Sequence, residues 1–241
     1  MLAALVSFAL AAPAVRDGTD YDAPSTLSAK AREAAAALRR PVVEALFATA
    51  GVAWPPRELL LRAYKAEMEL EVWAAAAEGP LTHVTTYRVC AASGGPGPKR
   101  REGDFQVPEG FYTLDLFNPW SDYHLSMRVS YPNASDKVRS DPKRPGGAIM
   151  IHGSCASIGC LAMTDERIEE LWVMATAMRT HKRTTHVHSF PTHDMTELLA
   201  TGGPADHVEV WTALARAQQI VDLDHRMPRV RFGRDGSMAV D

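Results

Sequence analysis

The sequence predicts an α+β protein that is mostly β, with helices on both sides of the strands. Short runs of β-branched or alternating apolar residues, separated by turn residues, fill residues 58–190. Alanine-rich or amphipathic segments, typical of helices, precede and follow this region. A chain of 241 residues can bury one substantial core. We therefore expect a single β-rich unit with flanking helices.

The first residues have the character of a secretory signal. Residues 2–12 are apolar apart from Ser7, and small residues follow where a signal is cleaved. The stretch is shorter than the roughly 20 apolar residues that cross a bilayer. We expect residues 1–14 to be a signal peptide and the mature chain to begin near Val15. Because a basic leader is missing, a buried N-terminal helix is the alternative.

Residues 15–56 form the predicted N-terminal helical segment. Its helix covers residues 28–49, which lack glycine, and Pro41 should end or kink it. The predicted strands then begin with a hairpin, whose polar turn is Lys65-Ala66-Glu67. A loop rich in glycine and proline interrupts the strands at residues 93–110. The predicted strands are residues 58–64, 68–73, 82–89, 111–117, 124–131 and 148–152.

The C-terminal part begins with a capped amphipathic helix. Thr164 precedes an acidic first turn, and the apolar spacing continues to about residue 180. A last strand is expected at residues 186–190, which closes a β-rich domain over residues 57–192. Residues 193–241 should form C-terminal helices, at 195–201 and 208–221, and an irregular tail after Arg226.

The charge balance argues against nucleic acid as a partner. The chain has 26 Lys and Arg against 29 Asp and Glu, a net charge of −3, whereas phosphate binding relies on a basic surface. The run Lys99-Arg100-Arg101 is expected to be a solvated loop, because Glu102 and Asp104 follow it.

The richest chemical signal lies in residues 146–163. A hydrophobic strand ends at His152, and a loop of small residues leads through Gly159 to Cys160, just before the capped helix. An imidazole can take the proton of a thiol, and a helix N-terminus favours the thiolate. Small residues also allow a sharp turn in which the N–H groups of Gly159 and Cys160 face an oxyanion. Spacing alone is weak support, since a free cysteine is often a small buried hydrophobe.

The order of these motifs resembles the YkuD-type L,D-transpeptidases, and in detail the YafK branch of that family. The resemblance covers about residues 58–191. Its pieces are Gly97-Pro98-Lys99, Glu102-Gly103-Asp104, Pro108-Glu109-Gly110-Phe111-Tyr112, Tyr123-His124-Leu125-Ser126, Tyr131-Pro132-Asn133, Ile151-His152-Gly153, Ser157-Ile158-Gly159-Cys160-Leu161, Val187-His188 and Phe190-Pro191.

The resemblance implies a β-sandwich or barrel-like catalytic domain with Cys160 as nucleophile and His152 as base. Gly153, Ser157 and Gly159 would support the loop and the oxyanion. The implied substrate is a peptidoglycan stem peptide, attacked at diaminopimelate in the periplasm, with no cofactor. Ile158 replaces the family's usual histidine, which favours the branch that hydrolyses the bond to an attached lipoprotein over cross-linking.

Several alternatives remain. Tyr123 and His124 line the substrate cleft or simply begin a strand. Cys155 reads as a small loop residue and Cys90 as a core residue, and with three cysteines at least one stays free or pairs between chains. His186 and His188 share a strand face that could hold zinc, but no carboxylate or cysteine ligand lies nearby in sequence, so we expect no metal. A non-catalytic wall-binding module and a zinc hydrolase are therefore the rival functions.

Overall fold

The structure, a computed structural model, describes residues 27–241 except Glu78. The predicted signal peptide and its cleavage near Val15 lie outside the described residues. None of the helices that are described is long and apolar enough to cross a membrane.

One eight-stranded mixed sheet forms the centre of the protein. Its strand order is β3-β2-β1-β8-β4-β5-β6-β7, antiparallel except for the pairs β1/β8 and β6/β7. The predicted α+β class is thus confirmed. The strands are β1 (Glu58–Tyr64), β2 (Glu69–Ala75), β3 (Thr82–Arg88), β4 (Gly110–Asn118), β5 (Ser126–Val129), β6 (Met150–His152), β7 (Leu161–Ala162) and β8 (Thr185–Phe190).

Helices cover both faces of the sheet, because each strand has apolar side chains to bury. One face packs on α1, α2 and α4 around a core that includes Phe47, Leu61 and Met127. The other face packs on α5, α6 and a C-terminal hairpin around Phe190 and Leu214. The helices are α1 (Ala29–Leu38), α2 (Arg40–Thr49), α3 (Ala134–Arg139), α4 (Asp165–Thr180), α5 (Met195–Thr201) and α6 (Ala205–Asp224).

Local signals placed two helix boundaries as predicted. The N-terminal helix breaks at Arg39, and Pro41 lies in the first turn of α2, where its missing N–H costs no hydrogen bond. Thr164 caps α4, its side chain accepting a hydrogen bond from the N–H of Arg167.

The predicted irregular tail is wrong. Residues after Arg226 form a hairpin of β9 (Val230–Phe232) and β10 (Met238–Val240), turning through Gly236 in the left-handed region at φ +83°. The Asp235 carboxylate accepts hydrogen bonds from the N–H and hydroxyl of Ser237 within this turn. Strands of three residues are too short to show a period in the sequence. The six-residue helix α3 and the two-residue strand β7 were not predicted because they are also short.

Candidate active site

Strand pairing brings Cys160 next to the strand that carries His152. In the parallel pair β6/β7, His152 lies opposite Ala162, so the residue before β7 lies beside Met150. The N–H of Met150 accordingly points at the Cys160 sulfur, 3.4 Å away. Met150 and His152 share a sheet face because strand side chains alternate. The two predicted catalytic residues therefore lie on or next to adjacent strands, β6 and β7, at one end of the sheet.

The backbone carbonyl of Gly153 orients the His152 ring. Nδ1 of His152 lies 2.6 Å from this carbonyl oxygen, to which only a protonated Nδ1 can donate. In the neutral imidazole Nε2 is then the basic atom. Burial lowers the pKa of His152, and the bond to Gly153 opposes that shift without reversing it. The ring is therefore neutral, and able to accept a proton, near pH 7.

Cys160 is the free cysteine of the described chain and is partly buried. Burial raises the pKa of its thiol, while the Met150 N–H and the Lys99 ammonium lower it to a smaller extent. Lys99 is held in place by Asp104, with 2.6 Å between Nζ and Oδ1. A raised thiol pKa beside a lowered imidazole pKa favours a neutral pair. The predicted Cys–His pair would then exchange its proton during attack, and at rest it would not be thiolate and imidazolium.

The basic run 99–101 departs from the solvated loop expected there. Lys99 is buried, and Arg100 pairs with Asp136 and Asp206. The carboxylates that pair with Arg100 lie far along the chain, so the adjacent acids did not reveal them.

Ser157 shapes the turn into Cys160. Its hydroxyl accepts a hydrogen bond from the Cys160 N–H at 3.0 Å and donates one to the Cys160 carbonyl at 2.7 Å. The Cys160 N–H is thus occupied, which differs from its expected role facing an oxyanion. Gly159 has φ +118°, a conformation that L side chains rarely adopt, and its N–H has no acceptor among the described residues. Of the two N–H groups predicted to face an oxyanion, that of Gly159 is therefore the unoccupied one.

Gly153 has no room for a side chain. A Cβ there would lie 2.6 Å from Oδ1 of Asp165, 2.9 Å from Cβ of His124 and 3.0 Å from Cγ2 of Ile168. The same Asp165 oxygen accepts a hydrogen bond from the N–H of Ser154. The first residues of α4 therefore fix the backbone whose carbonyl orients His152.

Tyr123 and His124 face different surroundings. The Tyr123 ring is partly exposed, with its centroid 4.9 Å from that of His152, so it lies next to the predicted catalytic histidine. His124 is buried and its Nε2 lies 3.0 Å from a carboxylate oxygen of Glu169 in α4. The neighbouring backbone turns at His124 with φ +64°, which separates the two side chains. His124 thus holds the loop, while Tyr123 contacts the ring of His152.

Arg32 of α1 is a residue of this region that sequence reasoning missed. Its buried guanidinium donates to the carbonyls of Pro119, Ser121 and His124. Three carbonyls on one loop fix the path of the chain that presents Tyr123. No motif marks Arg32, because its partners lie about 90 residues away along the chain.

Cys90 and Cys155 form a disulfide, which corrects their interpretation as a core residue and a small loop residue. The bond ties the loop between His152 and Cys160 to the residues after β3. No backbone hydrogen bond between described residues uses an N–H from 155 to 159, so this link is a principal restraint on the loop. Of the three cysteines, Cys160 is therefore the one that keeps a free thiol.

His186 and His188 lie on β8, which β4 and β5 separate from β6, the strand of His152. Among the described residues, no three His, Cys, Asp or Glu side chains gather as metal ligands.

Comparison with known proteins agrees with the resemblance of the motifs. The YkuD family, described as the L,D-transpeptidase catalytic domain, matches residues 73–196, just over half of the chain. Two curated relatives named "Putative L,D-transpeptidase YafK", from Escherichia coli K12 and O157:H7, are each 37% identical over 118 residues. These matches cover 48% of this chain and 46% of each relative, so the chain spans about half the length of the curated relatives. The solved structure of the helical cell shape determining protein Pgp2 from Campylobacter jejuni is 18% identical, with TM-score 0.46 and 73% of both chains covered. The protein belongs to the L,D-transpeptidase catalytic domain family.

Proposed function

We propose that this protein is an exported enzyme that acts on peptidoglycan stem peptides by cysteine-dependent acyl transfer. The observation that carries the proposal is the pairing of β6 with β7, which sets the Cys160 thiol beside the strand of a His152 already oriented by Gly153. The family match and the YafK relatives support the substrate class.

In the proposed reaction, His152 Nε2 takes the proton of Cys160 as the sulfur attacks an amide carbonyl at diaminopimelate. The N–H of Gly159 stabilises the oxyanion that forms. The carbon–nitrogen bond then breaks, and the departing amine takes the proton from the imidazolium, leaving a thioester on Cys160. Water or a second amine attacks this thioester, and its proton passes through His152.

We infer that water is the acceptor and that the amine released belongs to an attached lipoprotein. Ile158 stands where relatives usually have a histidine, and 82% of it is exposed. An isoleucine offers no hydrogen bond to an incoming amine. A short loop that leaves this side chain in solvent gives the thioester little cover, which favours hydrolysis.

The test supplies two substrates separately: sacculi that carry a covalently attached lipoprotein, and free tetrapeptide muropeptides. We expect lipoprotein release without new cross-linked dimers, measured by mass spectrometry. Dimers joined through diaminopimelate, with the lipoprotein still attached, would restore the transpeptidase. Products from neither substrate would favour a non-catalytic wall-binding module.

Export is supported by the disulfide, since such bonds persist in oxidising compartments. The proposal predicts periplasmic fractionation and a mature N-terminus near Val15. Cytosolic protein that retains Met1 would overturn it.

A further inference from the structure

A cavity of about 400 Å³ lies where β4, β8, the residues after β5 and the C-terminal hairpin meet. His186 and His188 line it from β8, Ser130 and Lys137 from the chain around α3, and Phe111 and Phe232 from β4 and β9. None of the described residues that line it is acidic. The cavity thus combines apolar walls with groups that are donors or cations.

Three of those groups have no protein partner among the described residues. His188 is buried, and its Nδ1 makes no hydrogen bond. His186 is half-buried and Lys137 is exposed, and neither side chain has a hydrogen bond or an ion pair to another described residue. Ser130, in contrast, is satisfied, because its hydroxyl accepts from the N–H of Thr113. Buried polar atoms normally find partners, and Nδ1 of His188 is an exception; the side chains of His186 and Lys137, which line the same cavity, are free to bind a ligand.

The charge around the histidines defines what that ligand can be. Burial, His186 and Arg62 lower the pKa of His188 to about 3, so its ring is neutral near pH 7 and presents one N–H. Burial also lowers the pKa of His186. Neutral imidazole donors and a lysine ammonium complement an anion that accepts hydrogen bonds, and carboxylate is a small anion of this kind.

Strand register places the cavity on the sheet face that carries the catalytic histidine. Thr113 pairs with His186, and Ser130 pairs with Thr113 through three hydrogen bonds. Arg128, two residues before Ser130, pairs with Met150, which shares its face with His152. Three strand spacings separate β4 from β7, about 14 Å along the sheet. An extended peptide of four or five residues spans about that length.

We propose that this cavity binds the carboxylate end of a short peptide. The His186 imidazole and the Lys137 ammonium hold the carboxylate, and Phe111 and Phe232 contact the adjoining apolar side chain. The proposal that the cavity binds a carboxylate does not depend on the proposed function. Only the idea that the same peptide reaches Cys160 rests on it.

The test titrates the full chain with N-acetyl-D-alanine. N-acetyl-D-alanine amide, which has no charge, is the control ligand. Calorimetry gives the affinity, and the histidine Cε1–H resonances, assigned with His186→Gln, give the location. Because charge-assisted hydrogen bonds are stronger than neutral ones, the acid should bind about tenfold more tightly than the amide and shift the His186 resonance.

Two lysine variants separate this site from general surface charge. Lys137→Met should weaken binding by about fivefold or more, whereas Lys143→Met, outside the cavity, should change it by less than about twofold. Equal binding of acid and amide, no saturable binding, or equal effects of the two variants would overturn the cavity proposal. Turnover of sacculi with no such binding refutes the cavity alone, and binding without turnover refutes the proposed function alone.

Discussion

Replacing both Cys90 and Cys155 with serine should lower the free energy of unfolding by about 4 kcal/mol. The disulfide joins residues 65 apart, and closing a loop of that length removes about 4 kcal/mol of chain entropy from the unfolded state. Both positions are only partly buried, so serine adds little burial cost of its own. The effect therefore comes almost entirely from the lost cross-link.

Urea unfolding followed by circular dichroism measures this effect, with and without a phosphine reductant. Reductant should destabilise the wild-type protein to the level of the double variant and leave the double variant unchanged. Cys160→Ala is the matched control, since it removes a cysteine but no disulfide, and it should keep wild-type stability while abolishing turnover. A loss below about 1 kcal/mol in the double variant would refute the reasoning, because removing a native disulfide typically costs 2–5 kcal/mol.

Three further predictions concern the residues around His152. Gly153→Ala should lower the free energy of unfolding by about 1–3 kcal/mol, because the added Cβ would overlap Asp165. The control Gly147→Ala has open space around its Cβ and should change the free energy of unfolding in urea by less than about 0.5 kcal/mol. Equal losses in the two variants would contradict the packing argument. His152→Ala should lower turnover by at least about 10²-fold, and the exposed His83→Ala should not; unchanged turnover in His152→Ala would remove it as the base. Because burial lowers the pKa of His152, the imidazole stays unprotonated below the usual 6.5, so activity should be lost only as pH falls through a value under 6.5; an acid limb in kcat/KM above 6.5 would be inconsistent with this.

Much of the fold followed from local patterns in the sequence. The cap at Thr164 and the apolar spacing after it predicted α4, and Pro41 predicted the break between α1 and α2. The β1/β2 hairpin was also predicted within two residues. These signals act over a few residues, where capping, proline geometry and side-chain period determine the backbone. The order of motifs around His152 and Cys160 predicted the family on the same local basis.

The tertiary structure decided the contacts between residues that are distant in sequence. Three such contacts depend on how the strands and helices are arranged in space. They are the Cys90–Cys155 disulfide, the hydrogen bonds from Arg32 to three loop carbonyls, and the buried position of His124 against Glu169. No periodicity encodes those pairings, because each joins segments that become neighbours only when the chain after β3 pairs with β7 or when α1 packs on α4. The sequence by itself therefore determined which residues could react, and the assembled sheet and helices determined what holds them.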